Sequence, residues 1–363
     1  EFAYDFTGEN AHDGPCRNPH DPARMTGGSS SGSAAAVAAG LAPLSLGSDT
    51  NGSLRVPAAL CGVFSLKPTF GRLPRGGTFP FVDSLDHLGP MARTAGDLAL
   101  AYDALQGGGG RDHALADRPV EPASPMLDVA PRGLRVGRLR GWFEAPCAPE
   151  VLARRDRVAD ALGDLGPVVD VALDEAAFGR AAAYIITNAE SSALHLPRLR
   201  AQAAGYDLDT RDRFLAGALL PAAWLTRAQQ VRRWWLETAL AAFGDVDVLI
   251  APATPATAPV IGQRTMALDG RTVPLRPYLG ILAQPFSCIG LPVVTVPVFD
   301  PGAAPAGVQI VAPPWREGLA LRVARFLETR SVANAHAPPA GATAAPSPPP
   351  VRGPRDGGRS DGC

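Results

Sequence analysis

Apolar and polar positions along this chain follow two patterns, one typical of buried strands and one typical of amphipathic helices. Short apolar runs bounded by turn residues predict strands at 43–48, 63–66, 134–139, 168–173, 246–252, 289–297 and 307–311. Longer segments with apolar residues three and four apart predict helices at 94–105, 151–165, 174–204, 225–243 and 316–327, the third interrupted near Pro197. Strands that alternate with helices indicate the α/β class, as a sandwich around one mixed sheet.

Two segments depart from this alternation. The stretch 107–131 is rich in glycine and proline and predicts a loose connection. The segment 331–363 holds 7 prolines and 5 glycines among 33 residues and lacks apolar periodicity, so we expect a disordered tail. The remainder, 1–330, is expected to form a single domain.

The composition narrows the class of protein. With 363 residues and 46% hydrophobic content, the chain can bury a large core. Its formal net charge of −1 indicates neither a nucleic acid nor a membrane as partner, and the apolar run 34–46 is too short to cross a bilayer. Scattered cysteines without metal-ligand spacing indicate reduced thiols in the cytoplasm and no metal site: Cys16, Cys61, Cys147, Cys288 and Cys363.

Two segments rich in glycine and serine, 27–33 and 47–53, bracket that apolar run. Such a string is typical of a flexible linker, but the first segment leads directly into the helix-forming residues 34–39. A linker would join two independent units, so we reject that interpretation. Glycines let the backbone approach a ligand closely, and each loop carries serine hydroxyls. The two loops are therefore the candidate functional site.

The stretch 27–71 resembles the signature block of the amidase signature family, which hydrolyses amides with a serine, a cis-serine and a lysine. The resemblance implies an α/β/α sandwich around a mostly parallel mixed sheet. It also implies that Ser53 is the nucleophile and that Ser29, on a cis peptide after Gly28, relays its proton. A serine hydroxyl is a poor nucleophile until a neighbouring base takes that proton.

The same resemblance implies the groups that bind the oxyanion and the substrate. The oxyanion-hole amides fall on Thr50, Asn51, Gly52 and Ser53, and substrate-binding backbone falls on Gly27 and Gly28. Consecutive N–H groups in a glycine-rich turn can stabilise a tetrahedral oxyanion. Ser31 stands where the family usually has glycine, and Asn51 stands where many members have it. Asparagine tolerates the left-handed conformation better than most residues, so the second change is mild.

The base that the family uses has no evident counterpart in this chain. The single lysine, Lys67, lies in a segment that corresponds to a structural strand end in the family. The family's catalytic lysine precedes the first serine loop, and the chain begins at Glu1 within a segment resembling the family's N-terminal part. We therefore expect an N-terminal truncation that removes the base and leaves the fragment inactive alone. Arginine cannot substitute because its guanidinium stays protonated, and recruitment of Lys67 is the alternative.

A second catalytic arrangement is open, in which His87 and either Asp83 or Asp86 form a serine–histidine–aspartate triad with Ser53. The α/β-hydrolases that use this triad place the serine in a G-x-S-x-G elbow. The residues at 51–55 read Asn-Gly-Ser-Leu-Arg, so the elbow is absent. The pattern favours the serine–cis-serine arrangement.

Across 1–107 the chain resembles the 1-carboxybiuret hydrolase group of that family, which acts in cyanuric acid breakdown. The resemblance implies release of ammonia from a small carboxylated urea-like amide such as 1-carboxybiuret, with no cofactor. It also implies a small helical partner subunit, in a homo- or hetero-oligomer. Two alternatives are a glutamine-hydrolysing subunit of a tRNA amidotransferase and a non-catalytic pseudoenzyme. We disfavour a phosphate-binding loop because the G-K-[ST] of a P-loop is missing.

Overall fold

The computed structural model describes residues 1–108, 110, 112–268 and 270–338. Within these residues the chain forms twelve β-strands and ten α-helices. The strands are β1 (Arg17–Asn18), β2 (Asp21–Met25), β3 (Leu44–Asp49), β4 (Phe64–Lys67), β5 (His87–Ala92), β6 (Val136–Arg140), β7 (Val168–Ala172), β8 (Val248–Pro252), β9 (Thr265–Leu268), β10 (Arg271–Pro274), β11 (Val293–Pro297) and β12 (Gly307–Val311). The helices are α1 (Ser31–Ala38), α2 (Arg55–Cys61), α3 (Ala95–Leu105), α4 (Pro149–Leu162), α5 (Ala176–Gln202), α6 (Leu208–Ala218), α7 (Ala222–Ala242), α8 (Leu275–Leu279), α9 (Gln284–Cys288) and α10 (Glu317–Thr329).

Eight of these strands form one sheet in the order β3-β5-β4-β11-β12-β8-β6-β7. β6 is parallel to β7 and β8, and the other five neighbouring pairs are antiparallel. The predicted mixed sheet is confirmed, but it is mostly antiparallel where the sequence led us to expect a parallel majority. Parallel neighbours need a long crossover connection, and helices supply such crossovers only around β6, through α4 and through α5–α7.

Helices cover both faces of this sheet, as the strand β8 illustrates. Val248 and Ile250 pack into the cluster that includes α3, α4 and α10, whereas Leu249 and Ala251 pack into the cluster with α5, α6 and α7. Successive side chains of a strand point to opposite faces, and a strand covered on both faces has an unbroken apolar sequence. The predicted α/β/α sandwich is therefore confirmed.

The helix α5 differs from the sequence prediction because it continues through Pro197. His195 and Leu199, on either side of the proline, are buried, and the His195 ring stacks on Phe214 of α6 with ring centroids 4.2 Å apart. This packing holds the helix although proline removes one backbone hydrogen bond. None of the described helices, α5 included, combines the length and apolarity needed to span a membrane.

Two segments expected to be loose are anchored where the structure describes them. In the connection 107–131, the Asp112 carboxylate accepts a hydrogen bond from the amide of Arg75 at 2.8 Å. At the other end, Ala333 is fully buried and the amide of Asn334 donates to the carbonyl of Pro297 at 3.1 Å. The predicted tail boundary at 331 is therefore too early. The rest of that tail, 339–363, lies outside the described residues.

Candidate active site

The turn that carries Ser53 lies between the end of β3 and the start of α2. Asp49, the last residue of β3, accepts hydrogen bonds from the amides of Gly52 at 2.8 Å and Leu54 at 3.3 Å. A carboxylate that bonds to backbone amides a few residues ahead closes a tight turn. Ser53 is held within this turn and is 4% exposed.

A buried ion pair fixes the same turn from the side of the core. Arg55 Nε donates to Asp49 Oδ2 at 2.9 Å, and both side chains are fully buried. Arg55 Nη1 donates to Gln309 Oε1 at 2.7 Å. Its Nη2 donates to Ser287, whose hydroxyl in turn donates to Asp49 at 2.8 Å. Burial opposes ionisation of Asp49, but the Arg55 guanidinium outweighs it and holds the pKa of the carboxyl well below its usual range.

The loop that carries Ser29 joins β2 to α1, and the peptide bond between Gly28 and Ser29 is cis. Close packing of backbone holds this loop. A Cβ on Gly28 would lie 2.6 Å from the carbonyl oxygen of Asp5, and one on Gly27 would lie 3.1 Å from Cα of Pro57. Glycine is therefore required at both positions.

Ser30 brings the two loops into direct contact. Its amide donates to the carbonyl oxygen of Ser53 at 3.3 Å. Its hydroxyl oxygen accepts from the amide of Ser48 at 3.0 Å and lies 3.1 Å from the carbonyl oxygen of that residue. Since Ser30 directly follows Ser29, the structure places the two predicted serines in adjoining loops.

A cavity of about 120 Å³ opens beside the turn that carries Ser53. It is lined by residues of several elements: Ala3, Tyr4, Asp5, Phe6, Thr50, Asn51, Ser53, Phe81, Tyr184, Thr187, Arg213, Arg276, Pro277 and Gln284. Ser29, Gly27 and Gly28 are not among these residues. The two glycines, predicted to bind substrate, pack against neighbouring chain, and their role in binding stays a prediction.

The four predicted oxyanion-hole amides are not equivalent. The amide of Gly52 is already bonded to the Asp49 carboxylate, so it is not available to a ligand. Within the described part of the chain, the amides of Thr50, Asn51 and Ser53 donate to no protein acceptor. These three residues line the cavity, and their N–H groups are therefore the ones that can receive a developing oxyanion.

His87 and its aspartate neighbours do not form a triad with Ser53. The Nδ1 of His87 donates to two backbone carbonyl oxygens, one of them that of Asp49 at 3.0 Å. Burial holds the pKa of this imidazole well below its usual value. The Asp86 carboxylate accepts from a threonine hydroxyl and two backbone amides, and Asp83 is exposed. The histidine therefore supports the backbone of the turn, and the alternative triad is not assembled.

Lys67, the alternative base, is fully buried at the end of β4. Its Nζ donates to the carbonyl oxygen of Pro68 at 2.9 Å, and the residue is not among those that line the cavity. Burial holds the pKa of the amine well below its usual value. The structure therefore does not bring Lys67 to the cavity that Ser53 lines.

The sequence interpretation missed the charged part of the cavity. Arg276 Nε pairs with Asp5 Oδ1 at 2.9 Å. The guanidinium of Arg213 lies 3.9 Å from the centroid of the Tyr4 ring and donates to the carbonyl oxygen of Asp209 at 2.8 Å. Among the described residues, no carboxylate forms an ion pair with Arg213, and burial lowers its pKa. Spacing gave no signal for it, because Arg213 lies on α6, far along the chain from the serine loops.

The chain belongs to the amidase family: the model of that family, described as Amidase, matches residues 1–321. The predicted membership in the amidase signature family is thereby confirmed. Among individual relatives, the chain is 50% identical over 336 residues to the 1-carboxybiuret hydrolase subunit AtzE of Pseudomonas sp. (strain ADP), covering 92% of this chain and 73% of that protein.

Two further proteins are similar to this chain. The chain is 36% identical to a glutamyl-tRNA(Gln) amidotransferase subunit of Synechococcus sp. (strain RCC307), covering 94% of this chain and 74% of that protein. A solved structure is described as an inhibitor-bound vestigial protein complex that reveals the evolutionary origins of an s-triazine catabolic enzyme. It matches with a TM-score of 0.90 at 49% identity, covering 93% of this chain and 73% of that one.

Proposed function

We propose that Ser53 attacks the carbonyl carbon of a small amide and that Ser29 carries its proton to a neutral amine base. The observation that supports this most directly is the contact between the two serine loops beside a cavity that Ser53 lines. The amides of Thr50, Asn51 and Ser53 would bind the oxyanion in the same cavity.

The proposed reaction has two halves. In the first, Ser53 Oγ bonds to the carbonyl carbon, its proton passes through Ser29 to the base, and the base protonates the leaving nitrogen, which departs as ammonia. In the second, water adds to the acyl-serine and loses its proton along the same route. The acid product then leaves and the Ser53 hydroxyl is restored.

We further propose that the base is a lysine outside these 363 residues. Lys67 is buried away from the cavity, and an arginine guanidinium stays protonated at any pH at which the protein is folded. The 363-residue chain alone is therefore expected to turn over amides very slowly or not at all.

The proposed substrate is a small carboxylated urea-like amide such as 1-carboxybiuret. A cavity of about 120 Å³ admits only a small molecule. Arg213 supports a carboxylate in that molecule, because its partly buried charge has no ion-pair partner among the described residues and guanidinium binds carboxylate well. The 50% identity to a 1-carboxybiuret hydrolase subunit supports the same substrate class.

The release of ammonia from 1-carboxybiuret tests the proposal. It is measured under three conditions: for the chain alone, for the chain with ethylamine added as a substitute base, and for a chain extended by the coding sequence upstream of Glu1. We expect activity on 1-carboxybiuret in the second or third case. Ser53→Ala should lower it by about 10³-fold or more, and Ser29→Ala by about 10²-fold or more. Ser31→Ala, which removes the hydroxyl of the first residue of α1, two positions after Ser29, should leave the rate close to that of the parent. Activity that survives in Ser53→Ala would refute the assignment.

A second candidate is a glutamine-hydrolysing subunit of a tRNA amidotransferase, supported by the 36% identity to such a subunit. Glutamine also carries a carboxylate and a terminal amide, so the same cavity chemistry applies. Assays with glutamine and 1-carboxybiuret side by side separate the two. Activity on neither, in every form of the chain, would favour the non-catalytic pseudoenzyme.

We also infer that the chain works in an assembly, either with itself or with a small helical partner subunit. The support is that a 49% identical structure is described as a protein complex. Light scattering of the purified chain, alone and after co-expression with its neighbouring genes, measures the mass of the assembly. A monomer under both conditions would contradict the inference.

A further inference from the structure

We propose that the side chain of Asn51 selects substrates by accepting a hydrogen bond from an N–H group beside the reacting carbonyl. The substrate class is then a ureide, in which nitrogen replaces the carbon next to the carbonyl of an ordinary carboxylated amide. This inference rests on the proposed function and assigns to the Asn51 side chain a role separate from that of its backbone amide.

The Asn51 side chain is fixed and incompletely bonded. It is 7% exposed, and its Nδ2 donates to the hydroxyl of Thr187 on α5 at 2.8 Å. Its Oδ1 is buried and, among the described residues, has no hydrogen-bond partner. Asn51 and Thr187 both line the cavity, next to Ser53. Asn51 Oδ1 is thus a fixed hydrogen-bond acceptor without a donor, and it belongs to the wall of the cavity in which Ser53 is proposed to react.

Among the described residues, no donor of the cavity wall bonds to Asn51 Oδ1. The two arginines of the wall are directed elsewhere: Arg276 pairs with Asp5, and Arg213 donates to the backbone carbonyls of Tyr4 and Asp209. A buried acceptor that stays unpaired is unfavourable, and a ligand that supplies the donor removes that penalty. A ligand that has a methylene group in place of the N–H would cover Asn51 Oδ1 without donating a hydrogen bond to it.

Arg213 and Asn51 together define the ligand. Arg213 provides a positive charge for a carboxylate, and Asn51 provides an acceptor near the nucleophile. A molecule that joins a carboxylate to a carbonyl through an N–H satisfies both. Sites that hydrogen-bond a polar group of the substrate discriminate strongly against analogues that lack it.

Two stable ligands of equal length and charge test this inference. Hydantoate has an N–H between its terminal carbamoyl group and the carbon that bears the carboxylate, and succinamate has a methylene there. Binding is measured by calorimetry on the Ser53→Ala chain, so that no turnover occurs. We expect hydantoate to bind at least about tenfold more tightly, the ratio for one well-placed hydrogen bond.

Adding Asn51→Ala should weaken the binding of hydantoate by about tenfold and leave that of succinamate nearly unchanged, so that the preference is lost. Thr187→Val, which removes the hydroxyl that holds Asn51 Nδ2, should also reduce the preference for hydantoate over succinamate.

Equal binding of both ligands to the Ser53→Ala chain, or a preference that survives Asn51→Ala, overturns this inference alone. Failure of both ligands to bind at millimolar concentration overturns the proposed substrate class and this inference with it. Thermal unfolding of each variant checks that the chain is folded.

Discussion

The turn that carries Ser53 and the loop that carries Ser29 meet through Ser30, yet they are held by different interactions. The turn depends on a fully buried ion pair, Asp49 with Arg55, which also bonds to backbone amides and to neighbouring side chains. The loop depends on space, because a side chain at Gly28 would meet the backbone of neighbouring chain. One loop therefore requires particular charges and the other requires the absence of a side chain.

This difference predicts which changes each loop tolerates. A charged network fails when one member is lost, because the partner is left buried and uncompensated. A close backbone contact fails when atoms are added, because backbone cannot move aside as a flexible side chain can. The turn should thus be sensitive to changes of charge and the loop to changes of size.

The largest effect is expected for Arg55→Met, which leaves the Asp49 carboxylate buried without its partner. Loss of one member of a buried pair costs about 3–5 kcal/mol of unfolding free energy, measured here by urea denaturation with coincident fluorescence and circular dichroism. The double variant Asp49→Asn with Arg55→Met removes both charges, and we expect it to be more stable than Arg55→Met. A loss below about 1 kcal/mol, the range of an exposed pair, would show that this pair does not hold the turn.

Gly28→Ala should have the next largest effect, because the added Cβ would lie 2.6 Å from the Asp5 carbonyl oxygen. We expect a loss of about 1–3 kcal/mol in unfolding free energy. Gly32→Ala is the matched control, since a Cβ on Gly32, within α1, meets no atom within 4 Å. That control should be neutral or stabilising by up to about 1 kcal/mol. Equal effects of the two variants would contradict the steric explanation.

The smallest effect is the pH dependence of the unfolding free energy. It distinguishes the turn from the Ser29 loop, because the segment 26–31, which contains that loop, has no titratable side chain. Burial, and then the neighbouring Lys67, hold the pKa of His87 well below its ordinary value. His87 therefore stays neutral in the folded chain while the unfolded chain takes up a proton below about pH 6.5. Its contribution to stability is present above that pH and is lost as the pH falls, by at most about 1.4 kcal/mol per pH unit.

His87→Gln should make the unfolding free energy less dependent on pH between about 6.5 and about 5, the range just below the unfolded histidine pKa. Parallel pH profiles of the parent and the variant would show that His87 does not contribute. His20 and His195 also have lowered pKa values through burial, so a residual slope is expected in both proteins.

The sequence predicted the strands and the site to different degrees. The near-continuous apolar run at 246–252 correctly predicted β8, because a strand covered on both faces is apolar along its length. Such a run carries no information on the direction of its neighbours, and the parallel majority expected for the sheet was wrong. The strand β5 was missed because Gly89 and Pro90 lie within it, and both are typical of turns.

In the site, the local motif indicated the serine loops because their chemistry depends on residues close in sequence. The cis peptide bond at Gly28–Ser29, implied by the family resemblance, is present. The charged part of the cavity could not be predicted from the sequence, because only the tertiary fold brings Arg213 to Tyr4 and Asp5. The bond between Gly52 and Asp49 was also not apparent, since the direction of an amide depends on the geometry of the turn.

The stacking of Arg213 on Tyr4 has a consequence for molecules that have not yet reached Ser53. The guanidinium lines the cavity without any ligand, and its charge is screened less than in free solution because the side chain is partly buried. We expect this charge to attract an anionic amide into the cavity and to disfavour an amide that bears an ammonium group. A ligand is therefore expected to be selected by its charge as well as by its contacts at the nucleophile.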